Sequence, residues 1–165
     1  VSRVVALVDL PTLVGVDLGT SPGAAVSQTD VDAFARTTGD DQWIHVDPAR
    51  AEREGRAGTI VHGYLLLALL GSFWGEFLTV TGSSSALNYG LDRVRFICQV
   101  PTGSVVHASA RITEVVERPD GMKVVADFTL TAAAPTAAGQ ESPAATGQDP
   151  TPPAVAARAI VLYLA

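Results

Sequence analysis

A chain of 165 residues with 47% hydrophobic and 17% charged residues has the length and composition of one folded domain with a sizeable core. Its net charge of −6, with eleven basic residues in all, excludes general nucleic-acid binding, so an anionic ligand has to be met by local arginines or backbone N–H groups. The single cysteine, Cys98, excludes an internal disulfide and a cysteine-based zinc site, fits a reducing cytoplasm, and reads as a buried apolar thiol within RVRFICQV.

The N-terminal run VSRVVALVDLPTLVGVD lacks the charged start and small-residue cleavage site of a secretory leader. Residues 5–15 predict a short helix limited by Pro11, and GAAVS a short strand. SQTDVDAFARTTGD carries a helix start, with Ser27 and Asp30 spaced as a capping box. Val31, Phe34 and Ala35 share one face, and Gly39 follows as a C-terminal cap. Asp40 therefore falls just beyond a helix end. DPARAERE places Pro48 at the start of a charged helical turn or two.

HGYLLLALLGSFWGEF, residues 62–77, is apolar on nearly every side, which predicts a helix surrounded by protein. The apolar stretch is shorter than a membrane span. From residue 86 the pattern turns to strands. ALNYGLDRVRFICQV alternates approximately, and GSVVHASARITEVVER puts Val106, Ala108, Ala110 and Ile112 on one face. Asp120-Gly121 predicts a hairpin turn into MKVVADFTLTA, and VAARAIVLYLA a closing strand. Residues 132–154, rich in Ala, Pro, Thr and Gly without periodicity, read as a flexible loop. The expectation is a single α+β domain, one helix on a face of an antiparallel sheet.

Three stretches carry chemistry. TTGDDQWIHVDP holds Asp40, Gln42 and His45. Asp40 and His45 read either as a turn cap and a packed histidine or as a general acid/base pair, since both can move protons when suitably tuned; Gln42 could orient either group or a water. Asp40, Asp41, His45, Asp47 and His62 could also furnish metal ligands, but their spacing matches no common zinc or calcium pattern, and no metal is expected. In IVHGY, Gly63 opens the apolar helix, so its N–H points out of the positive end, where it could hold a carbonyl oxygen that gains charge. His62 reads as a substrate-facing residue or a structural one. In NYGLDRVRF, Arg93 and Arg95 could meet phosphates or a carboxylate, or be ordinary exposed strand charges.

Taken in order, TGDDQWIHVDP, IVHGYLLLALL and LNYGLDRVRF resemble the MaoC-like hydratases, the (R)-specific enoyl-CoA hydratase group, and most of all its short, single-domain, NodN-like actinobacterial members. Gly39, Asp40, His45 and Ala51 match the family's pattern; Gln42-Trp43 stands where many members have Asn-Pro. The resemblance implies the hotdog fold, an antiparallel sheet wrapped around a central helix, and a homodimer. It implies reversible hydration of a trans-2-enoyl-CoA to a (3R)-3-hydroxyacyl-CoA. Asp40 and His45 would act on the water, the Gly63 N–H on the thioester carbonyl, and Gln42 would orient the site. Tyr64 and Leu67 would line the acyl path, Asn88 would support the Asp40–His45 pair or the acyl group, His62 would face the substrate, and Arg93 or Arg95 would lie near the pantetheine arm. The carrier is CoA or an acyl-carrier protein, and no cofactor is implied. The competing readings are a hotdog acyl-CoA thioesterase and a non-catalytic acyl-binding or assembly protein. Glu76, the one helix carboxylate, lies at the wrong end for the first, and the intact Asp40 and His45 argue against the second.

Overall fold

The computed structural model describes residues 2–133 and 152–165. In chain order they form β1 (Arg3–Ala6), a 3-10 helix (Leu7–Leu13), β2 (Asp17–Thr20), β3 (Ala24–Ala25), α1 (Gln28–Thr38), α2 (Trp43–Val46) and α3 (Pro48–Arg53). Then come α4 (Gly63–Phe77), β4 (Leu78–Thr81), β5 (Ser85–Phe96), β6 (Val105–Arg118), β7 (Gly121–Ala133) and β8 (Val155–Leu164). Residues 134–151, most of the loop expected over 132–154, lie outside the described residues.

The main sheet runs β2-β6-β7-β8-β5, with β3 also paired to β6 and all neighbours antiparallel. β1 and β4 form a separate parallel pair. The hairpin between β6 and β7 turns at Asp120-Gly121 as expected. Gly121 has φ 145°, and a Cβ there would collide with the Tyr163 carbonyl, so only glycine fits.

Alternation along β6 does what its pattern predicts. Val106, Ala108, Ala110 and Ile112 are all buried, together with Val124, Ala126, Phe128 and Leu130 of β7. The alanines leave room for α4, which contacts β6 and β8 and buries Leu66, Leu70, Phe73, Trp74 and Phe77 on the sheet. Each such side chain contributes about 1.5–3 kcal/mol on burial. Trp74 Nε1–H donates to the Tyr163 hydroxyl at 2.7 Å, so the one polar atom this tryptophan brings into the core is paired. Burial holds the Tyr163 phenol above its ordinary value.

Three expectations need correction. α4 is not enclosed: Tyr64, Ala68, Gly71 and Gly75 form an exposed stripe, because the sheet covers one side of the helix only. Cys98 is exposed rather than buried, since it follows the last residue of β5, an edge strand. The helix expected over 5–15 is a 3-10 helix that holds Pro11 within it, preceded by the unanticipated strand β1.

Candidate active site

The cap expected at Ser27 starts α1. Its hydroxyl accepts the Asp30 N–H at 3.3 Å while the Asp30 carboxylate accepts the Ser27 N–H at 2.8 Å. α1 ends at Gly39, whose φ of 78° lets its N–H reach the Ala35 carbonyl at 2.8 Å. This left-handed turn throws the chain inward, and the next residue is Asp40, half-buried. The single turn of α2 then carries His45 into the interior, where it is 7% exposed. α3 is fixed behind it. The Asp47 carboxylate accepts the Arg50 N–H at 2.9 Å, and the Arg50 guanidinium lies 4.6 Å over the Trp43 ring.

His45 is held by two carbonyl groups. Its Nδ1 lies 2.7 Å from the Ile60 carbonyl oxygen, which can only accept, so Nδ1 carries the proton of that bond and Nε2 is the nitrogen outside it. Its own carbonyl accepts a bond from the Gln28 side-chain amide at 2.8 Å. Every polar atom of that amide is used. Its second N–H goes to Asp32 at 2.8 Å, and its oxygen accepts the buried Thr59 hydroxyl at 2.6 Å. The Thr59 and Thr102 hydroxyl oxygens lie 3.0 Å apart in a further hydrogen bond. Gln28, Thr59 and the Ile60 carbonyl are site residues that the sequence did not single out.

His62 lies beneath this pair and is 1% exposed. Of its two readings, the geometry matches the packed histidine and not the substrate-facing one. Its ring stacks on His45 with centroids 3.8 Å apart and an interplanar angle of 24°, and Phe34 approaches from α1 at 5.1 Å. His62 is also the N-cap of α4, and no side chain caps that end. Among the described residues neither the Gly63 nor the Tyr64 N–H has a hydrogen-bond partner, leaving two donors at the positive end of a 15-residue helix. Gly63 has little room for a side chain, because a Cβ would sit 3.0 Å from the Phe96 ring.

Asp40, His45 and His62 each offer an atom within 4.8 Å of the others, the one such cluster of potential metal ligands among the described residues. Two imidazoles that share a metal must aim their lone pairs at one point about 2.0–2.1 Å from each nitrogen. Rings stacked 24° from parallel aim theirs side by side instead. The cluster suits proton transfer better than coordination. Asp41, exposed, and Asp47, occupied with capping α3, stand outside it.

From the first turn of α4 a cavity of about 330 Å³ runs between the helix and strands β5 and β8. Its walls include Tyr64, Leu67 and Asn88, so three of the substrate-binding candidates come together. Ala68, Gly71 and Gly90 keep the groove open. Arg93 and Arg95 are exposed on β5, and Arg95 donates to the Val94 carbonyl at 2.8 Å. Gln42 is exposed at the start of α2. Glu76 lies in the last turn of α4, far from the pair. A larger cavity of about 440 Å³ lies against α1, lined among others by Asp32, Arg36 and Asp41, and includes neither Asp40 nor His45.

The MaoC like domain model matches residues 9–134. The chain is 41% identical over 116 residues to a Mycobacterium tuberculosis protein named 3-hydroxyacyl-thioester dehydratase Z, covering 70% of this chain and 77% of that one. It is 42% identical over 121 residues to nodulation protein N of Rhizobium leguminosarum bv. viciae, covering 72% and 75%. The solved (R)-hydratase from A. caviae involved in PHA biosynthesis superposes with a TM-score of 0.66 at 23% identity, over 90% of this chain and 95% of that one. The antiparallel sheet with α4 against its face is the hotdog fold of such structures, and the chain belongs to the MaoC-like dehydratase family.

Proposed function

We propose that this chain is an (R)-specific enoyl-CoA hydratase, catalysing the reversible hydration of a trans-2-enoyl-CoA to a (3R)-3-hydroxyacyl-CoA. The observation that carries the reading is the fixed tautomer of His45. With Nδ1–H committed to Ile60, Nε2 is the nitrogen left for chemistry, in a cluster that brings the His45 ring and the Asp40 carboxylate within 4.8 Å, next to the uncapped start of α4.

In the hydration direction, Asp40 and His45 hold a water between them. As its oxygen bonds to C3, one proton passes to the dyad and the C2=C3 electron pair moves toward the thioester carbonyl. The Gly63 N–H donates to that oxygen as it gains charge. A proton from the dyad then joins C2. The elements of water are added and no electrons are gained or lost, so the scheme needs no redox cofactor. Gln42 orients the polar end of the site. Tyr64, Leu67 and Asn88 receive the acyl chain, and Arg93 or Arg95 meets the phosphates or pantetheine of the carrier, which is CoA or an acyl-carrier protein.

The working form on this reading is a cytoplasmic homodimer. β5 is an edge strand of the main sheet, and Leu87, Tyr89, Leu91, Phe96 and Ile97 along and just beyond it are each between 44% and 55% exposed. Joining two such edges would cover them, and light scattering measures the mass directly. Among the described residues no helix is long and apolar enough to cross a membrane.

The deciding assay follows loss of the conjugated enoyl-thioester absorbance with crotonyl-CoA and longer trans-2-enoyl-CoAs, with free thiol monitored in parallel. Wild type is expected to consume the absorbance without releasing thiol. Asp40→Asn and His45→Gln are each expected to lose about 10²–10⁴-fold in kcat. Thiol release would make the protein a thioesterase, and binding without turnover would make it an acyl-thioester carrier or assembly subunit.

A further inference from the structure

His62 offers its Nε2 to a backbone carbonyl and nothing to its Nδ1. The Nε2 lies 2.8 Å from the Asp40 carbonyl oxygen, an acceptor only, so the ring proton is on Nε2. Nδ1 is buried with no hydrogen-bond partner among the described residues. A buried acceptor without a donor destabilises the fold. A phenylalanine would fill the same space without that cost, so the imidazole needs a reason beyond packing. Its contacts supply one. The same side chain holds the main chain of Asp40, lies face to face with His45 at 3.8 Å, and belongs to the residue that immediately precedes Gly63. Phe34 closes the site from α1, the helix that ends just before Asp40.

We infer that His62 is a positioning residue that holds the two members of the dyad at working distance, through its Nε2–H on the Asp40 carbonyl and its ring face against His45. The inference rests on the hydratase reading of the same site. Asp40 follows a left-handed turn on the half-exposed end of a helix and has few other restraints; its own N–H reaches only the Thr38 hydroxyl, at 3.4 Å. The His62 bond is what ties this residue to the core. A displacement of about 1 Å between acid/base groups and substrate costs about 100-fold in rate, so a residue that never touches substrate can control kcat.

Two variants separate the two contacts. His62→Phe keeps a flat ring and removes the donor. His62→Gln keeps an N–H at comparable reach and removes the ring. His62→Phe relieves the unpaired Nδ1 but leaves the Asp40 carbonyl without its donor, so it is expected to stay folded with a Tm close to wild type. With crotonyl-CoA it is expected to hold KM within about twofold and lose about 10- to 100-fold in kcat. His62→Gln is expected to recover about tenfold of that loss, a rescue that simple space-filling would not produce. Unchanged kcat in a folded His62→Phe protein, or equal losses in both variants, would overturn the donor role.

An arm independent of turnover uses the imidazole nitrogen–proton correlation spectrum of the wild type. It is expected to show His62 with its proton on Nε2 and His45 with its proton on Nδ1. His62 in the opposite tautomer would sink the proposal even in an active enzyme. Should wild type turn over no thioester, the hydratase reading falls, and the positioning is judged on the Asp40 carbonyl carbon shift. A shift that moves in His62→Phe and returns in His62→Gln supports it; no movement in either overturns it.

Discussion

Ile60 and His45 are bound to each other's segments in both directions: Ile60 accepts the His45 Nδ1–H at 2.7 Å, and the Ile60 N–H donates to the Ile44 carbonyl at 3.0 Å. The imidazole is thereby part of the fold, and on the hydratase reading its structural and chemical roles use different nitrogens. Substitution can divide them. His45→Asn places an amide N–H near the position of Nδ1 and has nothing in place of Nε2. It is expected to keep the wild-type urea midpoint while losing turnover. His45→Ala leaves the Ile60 oxygen without its donor and is expected to lose about 1–3 kcal/mol as well. Equal stability of the two variants would show that the bond to Ile60 contributes nothing.

Gln28 secures the other side of His45. Its amide joins the His45 carbonyl, Asp32 and Thr59, and so ties α1 to the segment that leads into α4. Gln28→Glu is the informative change. A carboxylate in the first turn of a helix is favourable for the helix dipole, so α1 itself should not suffer. But a carboxylate cannot donate to the His45 carbonyl, and it would face Asp32. The expected result is a kcat about tenfold lower, from misplacement of His45, with a lower urea midpoint. A variant as active and as stable as wild type would remove Gln28 from the site.

Much of this was legible in the sequence because local rules and tertiary packing agree. The Ser27–Asp30 cap, the Gly39 stop, Pro48 opening α3, the Asp120-Gly121 turn and the alternation of β6 are all local signals, and each formed. What stayed hidden was long-range. Nothing in QTD or IVH announces that Gln28 reaches across 17 residues to His45 or that His62 reaches across 22 to Asp40. The continuous apolar run of α4 overstated its burial, because periodicity is lost when glycine and alanine fill the exposed stripe. Cys98 misled in the same way: apolar neighbours on an edge strand are as compatible with exposure as with burial.

The pair Asp127–Arg158 gives a pH signature distinct from the site. The two face each other across β7 and β8 and are joined by two bonds, at 2.7 and 2.9 Å. The hydrogen bond from Arg158 holds the Asp127 carboxyl below its ordinary value against the opposing effect of burial, with the charges of Arg158 and Arg93 assisting. A carboxyl depressed in the folded state stabilises fully above its unfolded value of about 3.9 and stops doing so as pH falls through the folded value. Asp127→Asn is therefore expected to melt below wild type at pH 7, with the gap closing as the pH is lowered past about 4. Solvent reaches both side chains, so the gap is small. A gap that stays constant down to acid unfolding would contradict the assignment.

If the acyl chain runs along the groove beside α4, as the hydratase reading has it, its length is limited by two small residues. Ala68 and Gly71 line the cavity of about 330 Å³ between α4 and β5, and neither is buried in the core. Leucine is almost as good a helix former as alanine, and the site is exposed, so Ala68→Leu is expected to change stability by less than about 0.5 kcal/mol. Its side chain would occupy the groove. On that reading short enoyl thioesters such as crotonyl-CoA would end near the start of the helix and should react at close to the wild-type rate, whereas chains of about eight carbons should lose about tenfold or more in kcat/KM. Gly71→Ala tests the same wall more gently. It should raise Tm, because alanine is favoured over glycine inside a helix by about 1 kcal/mol, while its Cβ meets the Asn88 amide nitrogen at 3.3 Å and presses that side chain toward the groove. A chain-length profile unchanged in both variants would place the acyl chain elsewhere, while an equal loss at every length would point to damage at the dyad rather than a blocked groove.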